Sequence, residues 1–211
     1  MTLVENCCMG KSRLEAFSDG VIAIIITIMV LELRAPHEAT LGALHPLWPI
    51  FTSYILSFIY VGIYWNNHHH LWQAAETVHG GILWANLHLL FWLSLVPFAT
   101  DWIGQSHFAA LPVATYGLIM LMTAIAFTIL AQAMVKHHGR ESELSKALRN
   151  GTKEKVSMLM YVIGIAGTML NPWIGMVCYA IVAAMWLVPD RRIEARLVDE
   201  APAGKNDLSK K

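Results

Sequence analysis

Long stretches without a single Asp, Glu, Lys or Arg constrain this chain more than any other feature. They cover residues 20–31, 39–75, 77–100, 102–135 and 156–189. A helix needs about 20 mostly apolar residues to cross the hydrocarbon core of a bilayer. Within lipid the backbone must satisfy its own hydrogen bonds, which leaves helices and closed barrels as the spanning structures. The pattern predicts an all-α integral membrane protein surrounded by lipid.

Composition excludes several other classes of protein. Apolar residues make up 56% of the 211 residues and charged residues only 14%, whereas a soluble domain carries about 25% charged residues. The formal net charge is +0, so no overall basic field attracts nucleic acid. We therefore expect neither a soluble enzyme nor a nucleic-acid-binding protein.

The uncharged windows divide into six predicted transmembrane helices. The last window is long enough for two helices, and Asn171-Pro172 separates them because proline disfavours helix at the preceding residue and suits a helix start. A five-helix alternative keeps the last window as one kinked helix. The six spans form a single transmembrane domain over residues 1–189, followed by a cytoplasmic tail at 190–211. The predicted spans are 13–34, 47–68, 82–103, 111–135, 155–171 and 173–189.

Lys and Arg residues predict the orientation in the membrane. Two lie at the start of span one, six between spans four and five, and six after span six. Arg34 is the one basic residue in a loop predicted to lie on the other side of the membrane. Since basic loops stay in the cytoplasm, both termini are predicted to be cytoplasmic. Cytoplasmic termini require an even number of spans, which favours six over five.

Span one carries an unusual set of side chains. Ionisable groups in a membrane helix are costly and normally face protein or water, so we expect the polar residues at its start to pair with other helices. Beyond them, one apolar face follows helical spacing, which by itself is also typical of ordinary packing. The polar residues are Arg13, Glu15, Ser18 and Asp19, and the face comprises Phe17, Gly20, Ile24, Thr27 or Ile28, and Leu31.

Two further polar groups lie on spans two and three. His68, His69 and His70 are adjacent near the end of span two, but adjacent helical residues point about 100° apart and do not share a metal ion well. A hydrogen-bonded helix end is the better interpretation. Asn86 and His88 lie in span three, where polar side chains commonly bond across helices. We expect no metal, no cofactor and no catalytic site.

Three ordered motifs resemble a known family. R-x-x-x-F-S-D begins at Arg13, Y-W-x-N-H-H begins at Tyr64, and L-W-x-N-L-x-L-L-F begins at Leu83, with S-L-x-P-F following at Ser94. Over residues 13–103 this order is similar to that of the transmembrane protein 175 family of potassium channels. The resemblance implies a prokaryotic, single-repeat form that assembles as a homotetramer in the plasma (inner) membrane and conducts potassium ions, with span one lining a central pore.

The resemblance also implies roles for individual residues. Ile24 takes the position of the constricting isoleucine and Thr27 that of the pore threonine, with Ile28 and Leu31 continuing the apolar face. Ala23 stands where some members have serine, which removes a hydroxyl from the pore. The network that would fix span one comprises Arg13, Phe17, Ser18, Asp19, His68, His69 and Asn86.

Two alternative functions and one question about Asp19 remain open at this point. The first alternative is a proton-coupled secondary transporter in which Asp19 and the membrane histidines carry protons. The second is a membrane enzyme, or a haem or metal protein, built on the histidines. Asp19 itself either faces the vestibule of the pore or is buried against Arg13, where it would only fix the position of span one.

Overall fold

The computed structural model describes residues 10–73, 78–138 and 152–187 of the chain. All of its regular structure in these ranges is helical. A 3₁₀ helix at Leu41–Leu47 runs directly into the second α-helix. The predicted tail at 190–211 lies outside the described residues. The α-helices are α1 (Lys11–Leu31), α2 (Trp48–Gln73), α3 (Gly80–Ser94), α4 (Val96–Gln105), α5 (Ala110–His138), α6 (Thr152–Thr168) and α7 (Pro172–Leu187).

Helices α3 and α4 occupy the predicted third span and are separated at Leu95. Pro97 has no backbone N–H, and its ring clashes with the carbonyl one turn back, so a continuous helix is interrupted just before it. The backbone N–H of Leu95 bonds to the Trp92 carbonyl three residues earlier, and that of Ala99 returns to Leu95. The two helices therefore follow one another as a single broken crossing.

Within the described ranges, four helical stretches are long and apolar enough to cross a membrane, namely Lys11–Leu31, Leu41–Gln73, Gly80–Gln105 and Ala110–Lys136. Helices α6 and α7 have 17 and 16 residues, which at about 1.5 Å per residue is less than the bilayer core of about 30 Å. Asn171 starts α7 by accepting a hydrogen bond from Trp173 N at 3.0 Å, and Pro172 occupies the first helical position.

Helix α5 lies at the centre of the bundle and contacts α3, α4, α6 and α7. A side-chain hydrogen bond joins it to α7, since Tyr179 Oη donates to the Val113 carbonyl at 3.3 Å. Polar groups inside the bundle find partners there, because lipid offers none. Thr100 donates to Ser57 Oγ at 2.6 Å, and Ser57 lies 3.2 Å from Tyr116 Oη.

Helix α1 lies at the edge of this bundle. It packs against α2, α3 and α4, and its contacts involve only one side of the helix. The opposite side of α1 is the feature on which the candidate functional site depends.

Candidate pore helix and its anchoring network

The buried side of α1 is defined by residues at three- and four-residue spacing. These side chains are Leu14, Ser18, Ile22, Ile25 and Met29. With 3.6 residues per turn, five positions at this spacing form one narrow stripe along the helix. Ser18 is the only polar member of the stripe, so the rest of it is held by apolar packing.

The opposite side of α1 carries the sequence-predicted pore residues. Ile24 is 58% exposed, Ile28 42% and Leu31 76% in the single chain, and Thr27 is also exposed. At about 100° per residue, Gly20, Ile24, Thr27 and Leu31 fall within about 60° of one another, directly opposite the buried stripe. Ile28 lies towards one side of this face. We call the face formed by Gly20, Ile24, Thr27, Ile28 and Leu31 the open face of α1.

Thr27 contributes the only side-chain hydroxyl on the open face. Its Oγ1 donates to the Ile24 carbonyl at 2.8 Å, within the same helix. A hydroxyl has one donor and two acceptor lone pairs, so this bond uses the proton and leaves the oxygen available to a cation. The arrangement is compatible with the pore threonine that the resemblance implies.

A buried hydrogen-bond network fixes the N-terminal half of α1. Asn86 of α3 is fully buried; its Nδ2 donates to Ser18 Oγ at 2.8 Å and its Oδ1 lies 2.9 Å from His68 Nε2 of α2. Trp72 Nε1 lies 2.7 Å from the same histidine nitrogen. Ser18 in turn donates to the Leu14 carbonyl at 2.9 Å. We call Ser18, Asn86, His68 and Trp72 the anchoring network.

His68 is the member with competing partners. An indole N–H only donates and an amide oxygen only accepts. A protonated Nε2 can therefore donate to Asn86 Oδ1, whereas an unprotonated Nε2 can accept from Trp72 Nε1. The other ring nitrogen, Nδ1, is buried and has no hydrogen-bond partner among the described residues. His68 is therefore not saturated by its surroundings in either neutral form.

A second, more exposed pair of contacts joins α1 to α2. Trp65 Nε1 donates to Asp19 Oδ1 at 3.1 Å, and His69 Nδ1 lies 3.7 Å from Glu15 Oε1. The Trp65 and His69 rings stack with their centroids 5.8 Å apart. Asp19 thus contacts an indole of α2 and, among the described residues, forms no ion pair with Arg13.

The structure brings together five of the seven residues predicted to fix span one. Ser18, His68 and Asn86 meet directly, while Asp19 and His69 join through Trp65. Arg13 and Phe17 lie on the exposed side of α1 instead, and Phe17 is 52% exposed. In the ranges that the structure covers, Arg13 has no hydrogen bond or ion pair with a side chain of the same chain.

Sequence reasoning did not assign a role to Trp65 or Trp72. Trp72 had a usable signal, because it lies four residues after His68 and such pairs share a helix face. His88 makes the same kind of contact, 2.9 Å from Trp92 Nε1 within α3. The part of the chain that the structure describes contains no group of three His, Cys, Asp or Glu residues arranged to hold a metal ion.

Comparison with known proteins identifies the family. The protein-family model described as endosomal/lysosomal potassium channel TMEM175 matches residues 13–97. A potassium channel of Chryseobacterium sp. strain P1-3 is 58% identical over 189 residues, covering 90% of this chain and 98% of that protein. This chain belongs to the TMEM175 family. A potassium channel of Streptomyces collinus is 32% identical over 168 residues, covering 74% of this chain and 78% of its own.

A solved TMEM175 structure supports the fold. The crystal structure of a lysosomal potassium-selective channel TMEM175 homolog from Chamaesiphon minutus matches with a TM-score of 0.73 and 26% identity. The match covers 84% of this chain and 96% of that one. The family and the all-α membrane fold with six helices per subunit are therefore confirmed. Membership of a channel family also agrees with the expectation that the chain is not an enzyme.

Proposed function

We propose that this chain is the subunit of a passive, potassium-permeable cation channel. Its membership of the TMEM175 family and the potassium channels among its relatives support this proposal. Potassium ions and the lipid bilayer are then its partners. No cofactor or metal is required, because the pore helix itself supplies the path.

The observation that carries the proposal is the two-sided character of α1. One side is buried and anchored by Asn86, while the open face leaves Ile24 and Leu31 largely exposed in the single chain. Four copies arranged about an axis would bring four open faces together. This homotetramer is the assembly that the resemblance to single-repeat family members implies.

The open face suits a hydrophobic gate. Rings of Ile24, Ile28 and Leu31 would narrow the axis, and apolar constrictions in channels gate by losing water. Four Thr27 hydroxyl oxygens would replace part of the water that an ion sheds. Since no charged residue lies between residues 20 and 31, selectivity would arise from hydroxyl dipoles and pore width alone, and we expect it to be modest.

The distribution of basic residues supports a location in the plasma membrane with both termini in the cytoplasm. Fourteen of the 15 Lys and Arg residues fall at the termini or in the loop after span four, the positions that the positive-inside rule assigns to the cytoplasm. In this orientation the anchoring network lies at the cytoplasmic end of α1 and the apolar rings lie deeper in the membrane.

The test is potassium flux through proteoliposomes containing the wild-type protein or Ile24→Asn. We expect wild type to pass potassium down its gradient without a second ion, and Ile24→Asn to increase the flux because a polar ring stays wet. The matched control is Ile181→Asn, since Ile181 is 51% exposed on α7, a helix outside the set that packs against α1. This control should leave the flux unchanged.

The same assay separates the channel from a proton-coupled transporter. A transporter would move potassium only with a proton gradient, its flux would saturate, and Ile24→Asn would not increase it. Flux that needs a proton gradient, or an equal response of Ile24→Asn and Ile181→Asn, would contradict the proposed pore.

A further inference from the structure

A small cavity lies within each subunit, away from the open face of α1. Residues of α2, α5, α6 and α7 line it, and its volume is about 30 Å³. A cavity needs about 10–15 Å³ of such space to hold one water molecule, so this one has room for a small ligand. None of its lining residues belongs to α1, so the cavity is distinct from the proposed pore.

Glu154 gives the cavity its charge. It lies in the first turn of α6, and its Oε2 is buried without a hydrogen-bond partner among the described residues. A buried carboxylate oxygen without a partner is strongly disfavoured. The site therefore calls for a positive charge or a proton donor at this atom.

The polar groups around Glu154 already have partners of their own. Trp186 Nε1 donates to Ser157 Oγ at 2.9 Å, and Ser157 donates to the Lys153 carbonyl at 2.7 Å. Thr128 Oγ1 donates to the Ala124 carbonyl at 2.8 Å. These wall groups thus direct their protons to acceptors other than Glu154.

The remaining lining residues favour an inorganic cation. Asn67, which has an amide oxygen, and Tyr64 and Tyr161, which have hydroxyl oxygens, line the same cavity as Glu154. Calcium sites use six to eight oxygen ligands and commonly several carboxylates, whereas here one carboxylate balances one positive charge. The small volume excludes organic cations such as choline.

We propose that this cavity binds one monovalent inorganic cation, of the size of potassium or sodium, at the carboxylate of Glu154. Each subunit would then hold its own ion, independent of ions in the pore. Lys153 is the nearby competitor within the chain, since its Nζ lies 6.0 Å from the centroid of the Trp186 ring. Removing its charge should strengthen cation binding.

The test measures thermal unfolding of the purified full-length protein in potassium, sodium or N-methyl-D-glucamine chloride at equal ionic strength. A cation that binds only the folded state raises Tm with concentration until the site is full. We expect a saturable rise of a few degrees in potassium or sodium, its loss in Glu154→Gln, and half-saturation at lower potassium in Lys153→Gln.

Two controls locate the effect. Glu38→Gln makes the same chemical change at an exposed position and should keep the rise, and Thr27→Ala should keep it because the pore is a separate site. Crystals grown in rubidium should show an anomalous peak beside Glu154 that is absent in Glu154→Gln. The proposal is overturned if Glu154→Gln keeps the rise, if Thr27→Ala abolishes it, or if no rubidium peak appears there. A Tm that depends on pH but not on the cation would instead indicate a protonated Glu154 and would equally overturn the proposal.

Discussion

Loss of the Asn86 side chain should loosen the attachment of α1 to the bundle. Asn86→Ala removes the 2.8 Å bond to Ser18 Oγ and the 2.9 Å contact with His68 Nε2. Ser18 keeps its bond to the Leu14 carbonyl, and His68 keeps Trp72. Neither partner is left without a hydrogen bond. The expected cost is that of the Ser18 bond, plus that of the His68 bond in the tautomer whose Nε2 carries the proton.

The magnitude follows from measurements on hydrogen bonds between membrane helices. Such bonds average about 0.6 kcal/mol and reach about 1.7 kcal/mol. One or two of them at a fully buried residue are worth about 0.6–3 kcal/mol. For a protein of this size, about 2–4 °C of Tm corresponds to each kcal/mol, so Asn86→Ala should lower Tm by about 1–12 °C.

The assay is thermal unfolding at fixed protein and detergent concentrations, because the Tm of an oligomer depends on concentration. Ser94→Ala is the matched control on the same helix. The Ser94 hydroxyl is exposed and donates to the Phe91 carbonyl of its own helix at 2.7 Å, so its removal breaks no contact between helices. Its expected effect is within about 0.5 kcal/mol.

A double-mutant cycle tests whether Ser18 and Asn86 act together. Ser18→Ala and Asn86→Ala share one bond, so the double variant should lose less stability than the sum of the two single variants, by at least about 0.5 kcal/mol. Additive effects, or an Asn86→Ala variant as stable as Ser94→Ala, would refute the role assigned to the anchoring network.

Three further outcomes are expected from the structure. Thr27→Ala should lower the potassium-to-sodium flux ratio while Thr27→Ser, which keeps the hydroxyl, should preserve it; ion-replacement measurements in proteoliposomes compare the two. Asp19→Asn should keep passive potassium flux without a proton gradient, because the amide oxygen still accepts from Trp65 and a passive channel needs no proton carrier at this position; loss of flux at normal folding would favour the transporter. Gly104→Ala should lower Tm, since a Cβ there would lie 2.9 Å from the backbone Cα of Ile50, whereas Gly62→Ala, with nothing within 4 Å, should leave Tm unchanged or raise it by helix propensity.

The helices of this protein are predictable because charge is excluded from lipid. The uncharged windows placed six spans, and the helices lie within a few residues of most of them. The start of α7 could also be predicted, since Asn171-Pro172 combines an N-terminal cap with proline at the first helical position. The extension of α2 to Gln73 could not be predicted in this way, because His68 contacts Asn86 of α3, an interaction that span length does not encode.

The two sides of α1 differ in how far sequence alone could resolve them. Spacing identified the face with Ile24 and Leu31, but an apolar stripe has the same pattern whether it meets lipid, protein or a pore. The partners of Asp19 were less accessible still. Trp65 is 46 residues away in the sequence, and an indole on span two looks like an ordinary interfacial tryptophan until the two helices are placed side by side.

The position of the polar contacts along α1 has a mechanical consequence. Glu15, Ser18 and Asp19 make their contacts with α2 and α3 near the start of the helix. From Ile22 onward, the described residues give α1 only apolar packing and one long contact, between Thr100 Oγ1 and Met29 Sδ at 4.0 Å. Apolar packing is non-directional, whereas hydrogen bonds are lost when their geometry changes. The segment that carries the proposed constriction can therefore shift sideways without breaking a strong hydrogen bond, while the start of the helix stays fixed as a pivot.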